Sequence, residues 1–124
     1  MSTILLVEDD PDIRHVVSYK LTRGGFRVVE ATDGLAALRE AQDSHPDLVI
    51  LDVRMPLMSG LEVCRELRAR PWTATVPIIM LTGRAQQEDI DQAYAAGATD
   101  YVVKPFSPRE LQHRVESALH EVDG

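Results

Sequence analysis

Apolar residues fall along this chain in short unbroken runs, separated by longer stretches in which they recur every three or four positions. The runs lie at Ile4 to Val7, Val28 to Val29, Leu48 to Leu51, Pro77 to Leu81 and Tyr101 to Val103, and most are rich in β-branched residues. They lack the polar alternation of a strand with one wet face, so they predict strands buried on both faces of a parallel sheet. Helical spacing fills the gaps. Ile13, Val16, Val17 and Leu21 follow i, i+3, i+4, i+8, with Asp10 as N-cap, Pro11 at the first position and Gly24-Gly25 at the end. Leu35, Leu38 and Ala41 give a second, weaker helix opened by Asp33. Ser59 and Glu62 form a capping box ahead of Leu61, Cys64 and Leu67. Ile90, Ala93, Tyr94 and Ala96 mark a fourth helix, stopped by Gly97. Ser107-Pro108-Arg109-Glu110 opens a fifth, whose apolar face is Leu111, Val115, Ala118, Leu119 and Val122.

Five βα units predict an α/β fold: a doubly wound, five-stranded parallel sheet with helices on both faces. The 124 residues suit one domain, residues 1–124. In such a sheet all carboxyl ends lie on one edge, and ligands sit there, near the point where strand order reverses. Strand 1 runs into Glu8 and Asp9, strand 3 into Asp52, strand 4 into Thr82 and strand 5 into Lys104. Residues far apart in sequence thus converge on one pocket with three carboxylates, one hydroxyl and one ammonium.

Such a pocket is electrostatically expensive. Two unit charges ~4 Å apart repel by ~4 kcal/mol at an effective dielectric of about 20. Either some carboxyls stay protonated or a cation neutralises them. Lys104 supplies one positive charge, whereas a hard divalent ion supplies two. Mg²⁺ typically takes one or two carboxylates plus waters and phosphate oxygens, so the acids suit a weak Mg²⁺ site completed by a phosphate. Taken singly the same residues have plainer readings: Asp10 as a helix cap, Glu8 and Asp9 as a solvated strand end, Thr82 as a turn, Lys104 as a solvated amine. Their coincidence at separate strand ends favours the site.

Composition removes several function classes. The chain is 44% hydrophobic and 27% charged, as in globular proteins, and has a net charge of −7 that opposes direct nucleic-acid binding. No apolar run approaches the ~18 residues of a membrane span, and no export signal opens the chain. The single cysteine, Cys64, allows no intrachain disulfide, which suits the cytoplasm.

The stretches "ILLVEDDPDIR", "PDLVILDVRMPLMSGLEVCRELR", "VPIIMLTG" and "GATDYVVKPFSPREL" together resemble the receiver domains of bacterial two-component response regulators, over essentially the whole chain. The resemblance implies a flavodoxin-like (βα)5 domain that is a phosphorylation-controlled switch. It implies a regulatory phosphoacceptor rather than an enzyme, one that assists its own Mg²⁺-dependent phosphorylation and dephosphorylation. By position, Asp52 matches the aspartate that accepts a phosphoryl group from a sensor histidine kinase or histidine phosphotransfer protein. Asp9 matches the main Mg²⁺-binding acid, with Glu8 acting mostly through water and the backbone carbonyl of Arg54 completing the set. Thr82 matches the switch hydroxyl, Lys104 the lysine that pairs with a phosphate oxygen, and Tyr101 the aromatic that turns inward on activation. Pro105 falls where the family has a cis peptide bond.

Other features are less constrained. Gly83 reads equally as a turn residue or as an opening to the phosphate. Arg54 and Arg84 are either solvated arginines or side chains lying over the phosphate. "KPFSPREL" resembles the winged-helix transcription-factor branch, whose receivers dimerise or meet an output domain through helix 4, strand 5 and helix 5. Asp100, Arg109 and Arg114 match charges on that face. "QQEDIDQAYAAG" in helix 4, however, has no Lys or Arg, which departs from the branch.

Two other classes compete. An aspartyl-phosphate-forming hydrolase would place its nucleophile in an Asp-x-Asp at strand 1 and carry a cap domain. Here Asp10-Pro11-Asp12 reads as a helix start, and the chain has no spare length for a cap. A phosphate-independent interaction module would lack a site residue, and none is lacking. Neither a Walker phosphate loop nor G-x-G-x-x-G occurs.

Overall fold

The computed structural model describes residues 1–83 and 86–123, with side chains described as far as residue 120. Strands and helices alternate as β1 (Thr3–Val7), α1 (Pro11–Arg23), β2 (Arg27–Ala31), α2 (Gly34–Ser44), β3 (Leu48–Asp52), α3 (Gly60–Arg68), β4 (Ile78–Thr82), α4 (Gln87–Ala95), β5 (Asp100–Val103) and α5 (Pro108–Asp123). The sheet is parallel throughout, in the order β2-β1-β3-β4-β5. The chain leaves β1 outward to β2 and then returns past it to β3. The order therefore reverses between β1 and β3, which lie side by side. No helix among the described residues is long and apolar enough to cross a membrane.

The unbroken apolar runs are explained by two cores. Every residue of β3 and β4 is buried. Leu5, Val7, Val49, Leu51, Ile78 and Met80 pack on one face beneath α2, α3 and α4. Ile4, Leu6, Leu48, Ile50, Ile79 and Leu81 pack on the other beneath α1 and α5. Each fully buried Leu or Ile contributes roughly 1.5–3 kcal/mol. β2 is longer than its apolar signal, because Arg27 and Glu30 stay exposed at a sheet edge and break the run.

The predicted caps are present. The Asp10 carboxylate accepts from the Asp12 and Ile13 N–H groups, and that of Asp33 accepts from Ala36. Ser59 and Glu62 form the full capping box, whereas at α5 the structure shows half of the capping box expected there: Ser107 Oγ accepts from Glu110 N–H at 3.0 Å, while the Glu110 carboxylate lies 3.8 Å from the Arg114 guanidinium. The predicted apolar faces need correction. Val16 is 48% and Leu35 53% exposed, because each helix meets the sheet along only a narrow stripe. That stripe is Val17 and Leu21 in α1, and Ala37 and Ala41 in α2. Tyr94 of α4 is also largely exposed, and Val122 lies outside the described side chains.

Two loops bear on the sheet's carboxyl edge. Gly60 opens α3, and its N–H donates to Val53 O at 2.9 Å. A Cβ at Gly60 would overlap the backbone carbonyl of Asp52, so only glycine lets α3 start this close to β3. Between them, Met58 N–H donates to Pro56 O at 2.8 Å, closing a three-residue turn around Leu57 at φ 72°. A left-handed conformation costs a β-carbon-bearing residue about 1–2 kcal/mol, and the Leu57 side chain is 76% exposed, so burial recovers little of that. Leu57→Gly should therefore hold or raise stability, by up to about 1 kcal/mol, despite glycine's extra entropy in the unfolded chain. Urea denaturation measures this, and a clear loss of stability would show that Leu57 is held by packing.

Candidate functional site

The register assembles the site. Val7 of β1 pairs with Leu51 of β3, so the next residues, Glu8 and Asp52, come level at the strand-order reversal. Asp52 pairs in turn with Leu81, and Thr82 with Val103. Lys104 N–H donates to Thr82 O at 2.7 Å, which brings the lysine onto the same edge. One carboxylate oxygen from each of Glu8, Asp9 and Asp52 lies within 4.8 Å of the other two. Glu8 is completely buried, Asp52 is 5% exposed, and Asp9 faces solvent.

Lys104 spans the two buried acids. Its Nζ lies 3.2 Å from Glu8 Oε2 and 3.3 Å from Asp52 Oδ2. Burial pulls the ammonium's pKa down, but the Asp52 and Glu8 carboxylates outweigh it and the net shift is upward. Glu8 behaves differently. Burial, then a hydrogen bond with Asp52 and repulsion from it, raise Glu8 to about 7 against the opposing pull of Lys104. Its Oε1 accepts from Asp10 N–H at 3.2 Å and from Lys104 Nζ at 3.4 Å, while the buried Oε2 lies within ion-pair distance of Lys104 and accepts no hydrogen bond among the described residues. A buried carboxylate oxygen short of donors, beside two more carboxylates, suits a hard cation such as Mg²⁺.

The remaining predicted residues surround this cluster. Arg54 is exposed and its backbone N–H donates to Asp52 Oδ1 at 3.3 Å. Thr82, 9% exposed, ends β4 and lines a cavity of about 190 Å³ with Val53, Arg54, Ile90, Ala93 and Tyr101. The Tyr101 ring stands edge-on to Tyr94, with centroids 5.8 Å apart. The Lys104–Pro105 peptide bond is cis. A Cβ at Gly83 would meet no atom of the described residues within 4 Å. Arg84 lies outside the described residues. On the α5 side, Arg114 Nη1 donates to both carboxylate oxygens of Asp100 at 2.9 Å, so two of the charges picked out on that face satisfy each other within the chain. One neighbour of the site carries no signal in the hydrophobic pattern. Arg14 Nη1 donates to Glu8 O at 2.9 Å, a contact set by the first turn of α1.

Comparison with known proteins places this arrangement. The family model described as the response regulator receiver domain matches residues 4–116. The alkaline phosphatase synthesis transcriptional regulatory protein PhoP of Bacillus subtilis is 42% identical over 116 residues, covering 94% of this chain and 48% of its own. The chain thus spans about half the length of the regulators it matches. The structure of the Vibrio cholerae chemotaxis protein CheY4 superposes with a TM-score of 0.91 at 37% identity, covering 95% of this chain and 98% of that one. The receiver domain of the sensor histidine kinase PA1611 from Pseudomonas aeruginosa, solved with a magnesium ion coordinated in its active-site cleft, superposes at 0.89 with 38% identity, covering 96% and 98%. With five parallel strands in that order and the acids gathered at their carboxyl edge, the chain belongs to the receiver domains of two-component response regulators.

Proposed function

We propose that residues 1–124 act as one receiver that takes a phosphoryl group onto Asp52 from a histidine kinase or a histidine phosphotransfer protein, in the cytoplasm and with Mg²⁺. The observation that carries this reading is the contact of Lys104 with Asp52 and Glu8 inside a three-carboxylate cluster. A structural ion pair would need one acid per lysine. Three acids leave unbalanced negative charge that suits a cation and an incoming phosphate.

Asp9 and Asp52, with Glu8 behind them and the Arg54 carbonyl, are the residues that would hold Mg²⁺. When bound, the ion offsets the acids' charge and that of the transferred group. The chain's own groups do the rest. An Asp52 carboxylate oxygen forms a bond to phosphorus. The P–N bond of the donor's phosphohistidine breaks, and its electron pair returns to the imidazole. The nucleophile is the Asp52 carboxylate, and Lys104 can follow the developing charge on a phosphoryl oxygen.

The phosphate brings roughly −1.5 to −2 charges and three acceptor oxygens. Thr82 can donate to one of them by moving toward Asp52. That movement enlarges the cavity it shares with Tyr101, and the ring can turn into it. The face of α4, β5 and α5 would then meet a partner copy or an output domain differently. A few hydrogen bonds support a coupling of ~1–3 kcal/mol between phosphate and face.

Asp52→Asn should gain no acyl phosphate from acetyl phosphate with Mg²⁺, as read by mass spectrometry. A stable phosphate on that variant at the wild-type rate would refute the assignment. A second expectation concerns pH. Glu8 ionises near 4.5 in the unfolded chain but near 7 in the fold, so between these values the native state holds the extra proton. By linkage, this group's contribution is fully present below about 4.5 and is lost as pH rises to about 7, on the order of 1–3 kcal/mol. Glu8→Gln should flatten that slope in metal-free urea denaturation between about pH 5 and about pH 8. An unchanged slope would mean that Glu8 is already ionised in the fold. Finally, Thr82→Ala should still accept phosphate while losing most of the change in amide exchange over residues 86 to 106. A full wild-type response would rule out Thr82 as the link.

A further inference from the structure

Resting on the phosphoryl-transfer reading above, we infer that Arg14 is a positioning residue that aims the acid-bearing turn after β1. Its guanidinium makes two contacts in different directions. Nη1 donates to Glu8 O at 2.9 Å, and Nε lies 3.2 Å from Glu30 Oε1 on β2. The Arg14 side chain is 21% exposed, so much of the guanidinium is withdrawn from water at the junction of the turn, α1 and β2.

The remaining bonds of the turn show what this contact adds. Glu8 N–H donates to Ala31 O at 3.1 Å, and Arg14 N–H donates to Asp10 O at 3.0 Å as the first bond of α1. Glu8 Oε1 accepts from Asp10 N–H at 3.2 Å. With the Arg14 guanidinium on its carbonyl, residue 8 is held at its N–H, its C=O and its side chain together. The Glu8–Asp9 peptide plane is thereby fixed, and with it the direction in which Asp9 leaves the backbone. Asp9 is exposed, so backbone orientation rather than surrounding packing decides where its carboxylate points. Glu30 sits one residue before Ala31, whose carbonyl binds Glu8 N–H, so the edge strand grips the turn through both residues. A lysine could reach one of the two acceptors but not both, since its ammonium lacks the planar fork.

Charge and position make opposite demands, and that separates them. If Arg14 acted only as a nearby positive charge it would oppose a divalent ion, and its removal would tighten Mg²⁺ binding. If it orients Asp9, its removal loosens binding. Outer-shell partners of metal ligands typically contribute about 10–100-fold in affinity. Acting through the backbone, Arg14 should contribute less, and Arg14→Gln should weaken Mg²⁺ binding by about 3- to 10-fold in calorimetry.

Arg14→Lys should resemble Arg14→Gln rather than wild type. Glu30→Gln, at an exposed acid on the sheet edge, should shift Mg²⁺ affinity the same way by less, and it serves as the readout should Arg14→Gln fold poorly. In the metal-free protein, Arg14→Gln should exchange the Asp10 amide faster. At saturating Mg²⁺ its phosphorylation by acetyl phosphate should return toward the wild-type rate, since Asp52 and Lys104 are untouched. Unchanged or tighter Mg²⁺ binding in both Arg14→Gln and Glu30→Gln overturns the inference. A wild-type protein that binds no Mg²⁺, or takes phosphate elsewhere than Asp52, overturns the functional reading itself.

Discussion

Repulsion among Glu8, Asp9 and Asp52 is the constraint around which the carboxyl edge of the sheet is organised. β1 and β3 run side by side because the chain reverses its direction of winding between them, and that adjacency brings level two strand ends that both close in acid. A single lysine from the far side of β4 reaches both buried carboxylates and offsets only part of their charge. Burial and the Asp52 carboxylate raise Glu8 to about 7, well above the usual carboxylate range.

The rest of the molecule holds that edge still. β3 and β4 are buried throughout, between helices on both faces, so Asp52 and Thr82 end the most deeply buried strands of the sheet. The loops above are built more tightly than ordinary connections. Gly60 lets α3 start against the Asp52 carbonyl, and Leu57 holds a left-handed conformation beside it. At the opposite end, the Arg68 guanidinium donates to Gly97 O at 2.9 Å and Val76 O at 2.6 Å, tying α3 to the segments before β5 and β4. α4 is the least anchored helix by comparison: Ala93 alone among its residues is buried, and Gln86 gives its first turn no side-chain cap. That contrast suits α4 to the movement proposed for the switch.

The charges on the α4, β5 and α5 face bear on partners. Asp100 and Arg114 pair with each other, and Glu110 lies 3.8 Å from the same guanidinium. Exposed pairs of this kind contribute little to stability, but they consume the groups that intersubunit bridges would use. α4 adds Glu88, Asp89 and Asp91 and no base. A partner meeting this face by charge would therefore find it predominantly acidic along α4.

Much of this was legible in the chain alone. Buried strands and capped helices follow from local composition, because a strand covered on both faces must be apolar throughout and a helix start must satisfy its free N–H groups. Glu8, Asp9, Asp52, Thr82 and Lys104 could be gathered from sequence because a parallel sheet puts all its carboxyl ends on one edge. Tertiary packing decided the rest. The length of β2 was hidden because an edge strand tolerates Arg27 and Glu30. The exposure of Val16 and Leu35 depended on how each helix settles on the sheet, a rotation that spacing alone leaves open. Arg14 was invisible as a site residue because its role is to touch a backbone carbonyl, and any residue type supplies one. The raised pKa of Glu8 required knowing which carboxylate it faces at what depth, and only the assembled fold sets both.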